Sequence, residues 1–151
     1  MKFKTTSILI TMLLVLSTVS AQTSKTFHVL SPDSKIDMTI EAGTTISWSV
    51  KHEADVVIAP SEISMLLDNG EEFGTNVKVS SAKAITVNAT FNTPLYKKKT
   101  VVDNYNQLTI NFKEDYGIIL RAYDDGVAYR FFSNKKGMIT IFSAEANFNF
   151  D

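Results

Sequence analysis

The stretch Leu120-Arg121-Ala122-Tyr123-Asp124-Asp125-Gly126-Val127-Ala128-Tyr129-Arg130-Phe131-Phe132 decides how this chain folds. Apolar and polar residues alternate into Asp124-Asp125-Gly126 and alternate again on leaving it, the pattern of two antiparallel strands joined by a tight turn. If Asp125 and Gly126 are the two turn residues, Arg121 sits directly across from Arg130 on the face that also carries Tyr123, while Tyr129 and Phe131 fall on the other face. No other arginine occurs in the chain, which takes the rest of its positive charge from lysine. Facing cations repel unless something anionic lies between them, and a planar guanidinium fork is matched to a carboxylate. The acceptor is either local, among Asp103, Asp115 and Asp124, or on another domain. Arg121, Tyr123 and Arg130 are therefore the candidate binding residues, for a domain interface or for carbohydrate.

The same period of two recurs outward from the hairpin: Ile36, Met38 and Ile40; Ile46, Trp48 and Val50; Val77 and Val79; Ile85 and Val87; Leu108, Ile110 and Phe112. No stretch has a convincing helical period. Turn formers at Ser31-Pro32-Asp33-Ser34, Asp68-Asn69-Gly70 and Asn134-Lys135-Lys136-Gly137 separate about ten strands. A sheet of this kind has one apolar face to hide and a second sheet is its natural cover, so the expected fold is all-β, an antiparallel β-sandwich. Trp48 shares a face with Ile46 and Val50 and is expected in the core. The last alternation, Ala144, Ala146, Phe148 and Phe150, stops at Asp151 without a turn or a polar tail. The chain is therefore expected to be cut within a larger unit and to carry an unpaired edge.

Residues 1–21 read as a secretory signal peptide: Lys2 and Lys4, an apolar run over residues 8–16, then the small residues Val19-Ser20-Ala21. That run is shorter than the roughly 20 residues needed to span a bilayer, so no membrane anchor is expected and the domain, residues 22–151, should be periplasmic or secreted. Loss of Lys2 and Lys4 leaves 13 basic residues against 16 acidic ones, a net charge of −3 that argues against nucleic acid as a partner. With no cysteine, disulfides, thiolate metal sites, a cysteine nucleophile and a lipidated N-terminal cysteine are all excluded. Stability must come from the core, and a chain of this size buries roughly two-thirds of its unfolded surface.

Taken with Lys35-Ile36-Asp37-Met38-Thr39-Ile40, Ile46-Ser47-Trp48-Ser49-Val50, Tyr105-Asn106-Gln107-Leu108-Thr109-Ile110-Asn111-Phe112 and Glu145-Ala146-Asn147-Phe148-Asn149-Phe150, the hairpin resembles the N-terminal domain of glycoside hydrolase family 97 over residues 27–151. The resemblance implies a galactose-mutarotase-like super-sandwich, incomplete here, followed in the parent enzyme by more sandwich and a (β/α)₈ catalytic barrel. It further implies an α-glucosidase or α-galactosidase acting on α-linked oligosaccharides. Calcium would serve the parent, held by barrel carboxylates and a glutamate later in this domain. The chain's own part would be non-catalytic: packing on the barrel and helping to shape the carbohydrate cleft. The alternative is a free-standing exported carbohydrate-binding or adhesion module, which needs an exposed aromatic platform and a closed final strand.

The residues themselves offer no catalytic set. Glycoside cleavage needs two carboxyl groups across the scissile bond, and Asp124 and Asp125 are neighbours in a turn, where Asp before Gly serves the backbone. His28 and His52 lie in different segments, and Glu71, Glu72, Glu114 and Asp115 lack the dense spacing of a calcium loop. Serines occur outside any Gly-x-Ser-x-Gly elbow, and Gly70 and Gly74 lack a phosphate-loop context. Lys97-Lys98-Lys99 reads as a solvated loop. Among the aromatics, Tyr123 is the better candidate for an exposed sugar-facing ring.

Overall fold

A chain without helical periodicity can satisfy its backbone only through inter-strand ladders. In the computed structural model, which describes residues 24–92, 94 and 99–150, ten strands provide them. Residues 1–21, which the sequence reads as a signal peptide, and Lys97-Lys98 lie outside the described residues. In chain order the strands are β1 (Lys25–Leu30), β2 (Ile36–Ala42), β3 (Ile46–His52), β4 (Asp55–Leu67), β5 (Glu72–Phe73), β6 (Val79–Asn92), β7 (Thr100–Phe112), β8 (Tyr116–Tyr123), β9 (Gly126–Ser133) and β10 (Ile141–Ala146). One sheet runs β1-β2-β3-β4-β10 with β5 beside β4; the other runs β6-β7-β8-β9, and the named strand pairings are antiparallel. This is the expected β-sandwich.

Alternation sorts the core as the sequence implies. Ile36, Met38 and Ile40 of β2 and Ile46, Trp48 and Val50 of β3 are buried against Leu108, Ile110 and Phe112 of β7 and Ile118 and Leu120 of β8. Each such side chain contributes roughly 1.5–3 kcal/mol on burial. Trp48 is only 3% exposed; the ring of Tyr129 from β9 lies 5.1 Å from it and Phe148 meets it edge-on at 5.2 Å.

The sheets are offset. β1 touches β7 and β8, and β2 touches β8, so β6 extends beyond β1 on one side and β4 with β10 extends beyond β9 on the other. Every residue of β6 is exposed or half-buried and every residue of β10 is exposed. Ile85 and Val87 accordingly alternate as a strand should but do not reach the core cluster. The connection over residues 134–140 crosses between the sheets instead of closing a hairpin.

The final segment differs from its sequence pattern. Its ladder with β4 covers residues 141–146, with a register shift between Ile141 and Ser143; beyond it the Asn147 N–H donates to the Glu62 carbonyl at 3.3 Å and Asn149 bridges to Ala59. β4 is irregular here: around Pro60, which has no N–H to donate, its ladder with β3 steps from Trp48↔Ser61 to Val50↔Ile58, and on the other side Asn149 Nδ2 donates to the Pro60 carbonyl at 2.9 Å. Phe148 turns in towards Trp48 while Phe150 stays exposed. β10 ends its sheet, and among the described residues no strand pairs with its outer edge.

The decisive hairpin forms with a register two residues from the one expected. Tyr123 pairs with Gly126, Arg121 with Ala128 and Ile119 with Arg130, so Asp124 and Asp125 are the turn residues and the arginines are diagonal neighbours, not a facing pair. Asp124, Asp125 and Gly126 all lack positive φ, so the turn has no need of glycine at its tip. Asp124 is instead fixed from outside, its Oδ1 accepting the Asp33 N–H at 2.8 Å across the sandwich.

Candidate functional site

The outer face of the β6–β9 sheet is built by the residues that alternate with the core set. β7 presents Tyr105 and Gln107, β8 presents Ile119, Arg121 and Tyr123, and β9 presents Ala128 and Arg130; Ile85 and Val87 of β6 pair with Gln107 and Tyr105. Although Tyr105 points away from the core it is 6% exposed. The Arg121 guanidinium lies 4.3 Å over its ring centroid, and the Tyr123 ring sits 5.1 Å away at 48°. Such a cation–ring contact is worth about 0.5–1 kcal/mol at an exposed site.

Arg121 is held from three directions by uncharged groups. Its Nε donates to Gln107 Oε1 at 2.8 Å, its Nη1 approaches the Tyr123 hydroxyl at 3.4 Å, and Tyr105 lies beneath its plane. The Tyr123 hydroxyl is the largest influence raising the guanidinium pKa, with partial burial opposing it. The local acceptors expected from sequence do not engage: among the described residues the ion pairs are His28–Asp37, Lys35–Asp33 and Lys135–Glu71, and neither arginine is in one. Asp103 reaches Arg121 only as a weak, longer-range attraction. Arg130 is exposed and lines the same shallow depression as Ile119, Arg121, Tyr123, Ala128 and Tyr129.

Sequence reasoning therefore names Arg121, Tyr123 and Arg130 and misses Tyr105 and Gln107. The available signal was parity: both lie on β7 among residues alternating with Leu108 and Ile110, and so share the outer face with Arg121. Tyr123 is half-buried against Tyr105 and does not stand clear as a flat platform. Trp48 is in the core, and burial there pushes the Tyr129 hydroxyl pKa up as well.

The other candidates are structural. Asp124 holds the turn at Asp33, and Asp33 is itself lowered in pKa, first by the Ser31 hydroxyl that donates to it at 2.6 Å. His28 Nδ1 sits 3.1 Å from Asp37 and 3.2 Å from Thr39 Oγ1 across the β1–β2 pair. Glu71 pairs with Lys135 at 2.8 Å. Among the described residues no three histidine, aspartate or glutamate side chains form a set able to hold a metal ion. The described residues do not fit a calcium site, and none of them is assigned as a ligand.

Fold and face together define the class: a two-sheet β-sandwich with an aromatic, cationic outer face and, among its described residues there, no carboxylate pair arranged for bond cleavage. The chain belongs to the glycosyl-hydrolase 97 N-terminal family, whose profile matches residues 29–151. It is 38% identical over 125 residues to a retaining alpha-galactosidase of Bacteroides thetaiotaomicron, covering 83% of this chain and 19% of that protein. Among solved structures it resembles a glycoside hydrolase family 97 enzyme in complex with acarbose from Pseudoalteromonas sp. strain K8, at 25% identity and a TM-score of 0.70 over 78% of this chain and 19% of that one. A beta-arabinopyranosidase shares the fold, with a TM-score of 0.74 and 21% identity over 83% of this chain and 21% of that one. The chain thus spans about a fifth of the length of the relatives it matches.

Proposed function

We propose that this chain is the non-catalytic N-terminal support domain of an exported family 97 glycoside hydrolase, packing on a catalytic barrel of the same polypeptide and helping to shape the carbohydrate cleft. The parent would hydrolyse α-glucosidic or α-galactosidic bonds of α-linked oligosaccharides in the periplasm or outside the cell. Residues 1–21 would direct its export, and calcium would serve the barrel through carboxylates outside this chain. The observation that carries the reading is the family match over residues 29–151. The outer face supports it: Arg121, Tyr123 and Arg130 lie on a largely apolar surface, and among the described residues neither arginine is in an ion pair, which leaves both able to meet a partner.

The test is a comparison of two proteins, the full reading frame and residues 22–151 alone, against nitrophenyl α-glucoside and α-galactoside. Hydrolysis by the longer protein and none by the shorter one is the expected result. Turnover by residues 22–151 alone would refute the assignment.

A further inference from the structure

We infer that the outer face of the β6–β9 sheet receives an aspartate or glutamate carboxylate of the catalytic domain between Arg121 and Arg130; this rests on the support-domain reading above. In a sandwich open to water the outward positions are ordinarily polar. Here Ile85, Val87, Tyr105, Ile119 and Tyr123 occupy them, with Ile85 40% exposed and Phe91 of the same strand 50% exposed. Such a face suits a protein surface, and four-fifths of the length of the relatives lies outside the matched segment.

Charge names the partner group. Lys83, Arg121 and Arg130 share this face with one acid, Asp103, so it is net cationic on a chain that is net anionic. The Gln107 bond occupies Nε and the Tyr123 hydroxyl takes one Nη1 hydrogen, so the N–H groups that remain for a carboxylate are those of Nη2 and the second hydrogen of Nη1. Gln107, Tyr105 and Tyr123 fix the side chain before any partner arrives, which removes much of the rotamer entropy a free arginine would lose on binding. Arg130, the diagonal neighbour, is exposed at the same depression and supplies the second cation. Two cations on one face repel, and a carboxylate between them converts that repulsion into attraction.

The experiment uses the full-length polypeptide and the rate of limited proteolysis at the junction after this domain, with Trp48 emission reporting whether the sandwich itself stays folded. Arg121→Gln with Arg130→Gln should raise the cleavage rate about tenfold or more with Trp48 emission unchanged. Arg121→Lys, which keeps the charge but loses the fork, should raise it by a smaller factor. Cleavage of the double variant at the wild-type rate overturns the inference. Should the double variant unfold, Arg130→Gln alone decides, since that side chain is exposed: faster cleavage supports the inference and an unchanged rate overturns it. A full-length protein inactive on both α-glycosides would sink the support-domain reading, whereas the proteolysis contrast bears on the arginines alone.

Discussion

The backbone N–H of Gly74 donates to the Tyr116 hydroxyl at 2.8 Å, so a buried tyrosine at the start of β8 secures the turn that follows β5 in the opposite sheet. The Tyr116 ring lies parallel to Phe73 with centroids 4.0 Å apart. Gly74 itself has φ +104 and leaves only 2.6 Å between a would-be Cβ and the Ile63 carbonyl, so no other residue fits. Burial pushes the Tyr116 hydroxyl up to about 12, helped by Glu114, Glu71 and Glu72 and opposed by the Gly74 bond.

A folded pKa raised above the unfolded value near 10 means the folded state favours the neutral phenol. Its contribution is fully present below about pH 10 and is lost as pH climbs from there to about 12, to the extent of about 2 kcal/mol. Tyr116→Phe should flatten this alkaline limb while costing about 1–3 kcal/mol at neutral pH, because the Gly74 N–H is left without its acceptor. Urea midpoints measured from pH 8 to 12 check both; a variant with the wild-type alkaline slope would show that Tyr116 is not the titrating group.

At Gly117 a Cβ would lie 2.4 Å from the Ile110 carbonyl oxygen and 2.4 Å from the ring of Phe132, which lies across the glycine on the neighbouring strand. The ring can move but the backbone carbonyl cannot. Gly117→Ala should cost roughly 1–3 kcal/mol, read as a lowered denaturant midpoint; equal stability would mean that β7 and β8 separate more easily than their packing indicates.

Trp48 joins three parts of the fold, through Tyr129, Phe148 and an Nε1 bond to the Asn147 carbonyl at 3.3 Å. Trp48→Ala should cost about 3–5 kcal/mol. Because the chain has one tryptophan, wild-type emission should be blue-shifted and move red on unfolding, with no change on adding maltose or melibiose. A sugar-dependent shift would restore Trp48 as a binding ring.

The side chain of Asp124 matters as an acceptor, not as an acid. Asp124→Asn keeps the oxygen that receives the Asp33 N–H and should leave stability and the parent's turnover nearly unchanged, while Asp124→Ala should cost about 0.5–1.5 kcal/mol. A collapse of turnover in the Asn variant with the fold intact would make Asp124 catalytic after all.

Among the described residues nothing pairs with the outer edge of β10, and Phe142, Phe148 and Phe150 are 75%, 49% and 72% exposed. Residues 22–151 expressed alone should self-associate through this edge, and Phe142→Lys should reduce it. Sedimentation gives the answer, and a sharp monomer peak for the unmodified protein would exclude the edge as a liability.

Most strands were legible because period-two burial is a local property: each of Met38, Ile40, Trp48 and Ile110 is placed by its immediate neighbours in sequence. The arginine face was half legible for the same reason. Parity assigned Arg121, Tyr123 and Arg130 to one side of the sheet, and the same rule applied to β7 would have added Tyr105 and Gln107.

Register, sheet offset and the course of residues 141–150 were not readable, since each depends on contacts far apart in the chain. The turn closes on Asp124-Asp125 because Asp33, 91 residues away, supplies the hydrogen bond that holds it. The last segment leaves its ladder after Ala146 and returns to β4 at Asn149, whose side chain donates to the Pro60 carbonyl 89 residues away. Alternation by itself determined that this protein is a sandwich with arginines on an outer surface. Only the tertiary structure decided that those arginines are diagonal, that Arg121 is braced by uncharged partners and that neither is in an ion pair among the described residues, because pairing between strands is set by the energy of the whole assembly and not by any one strand.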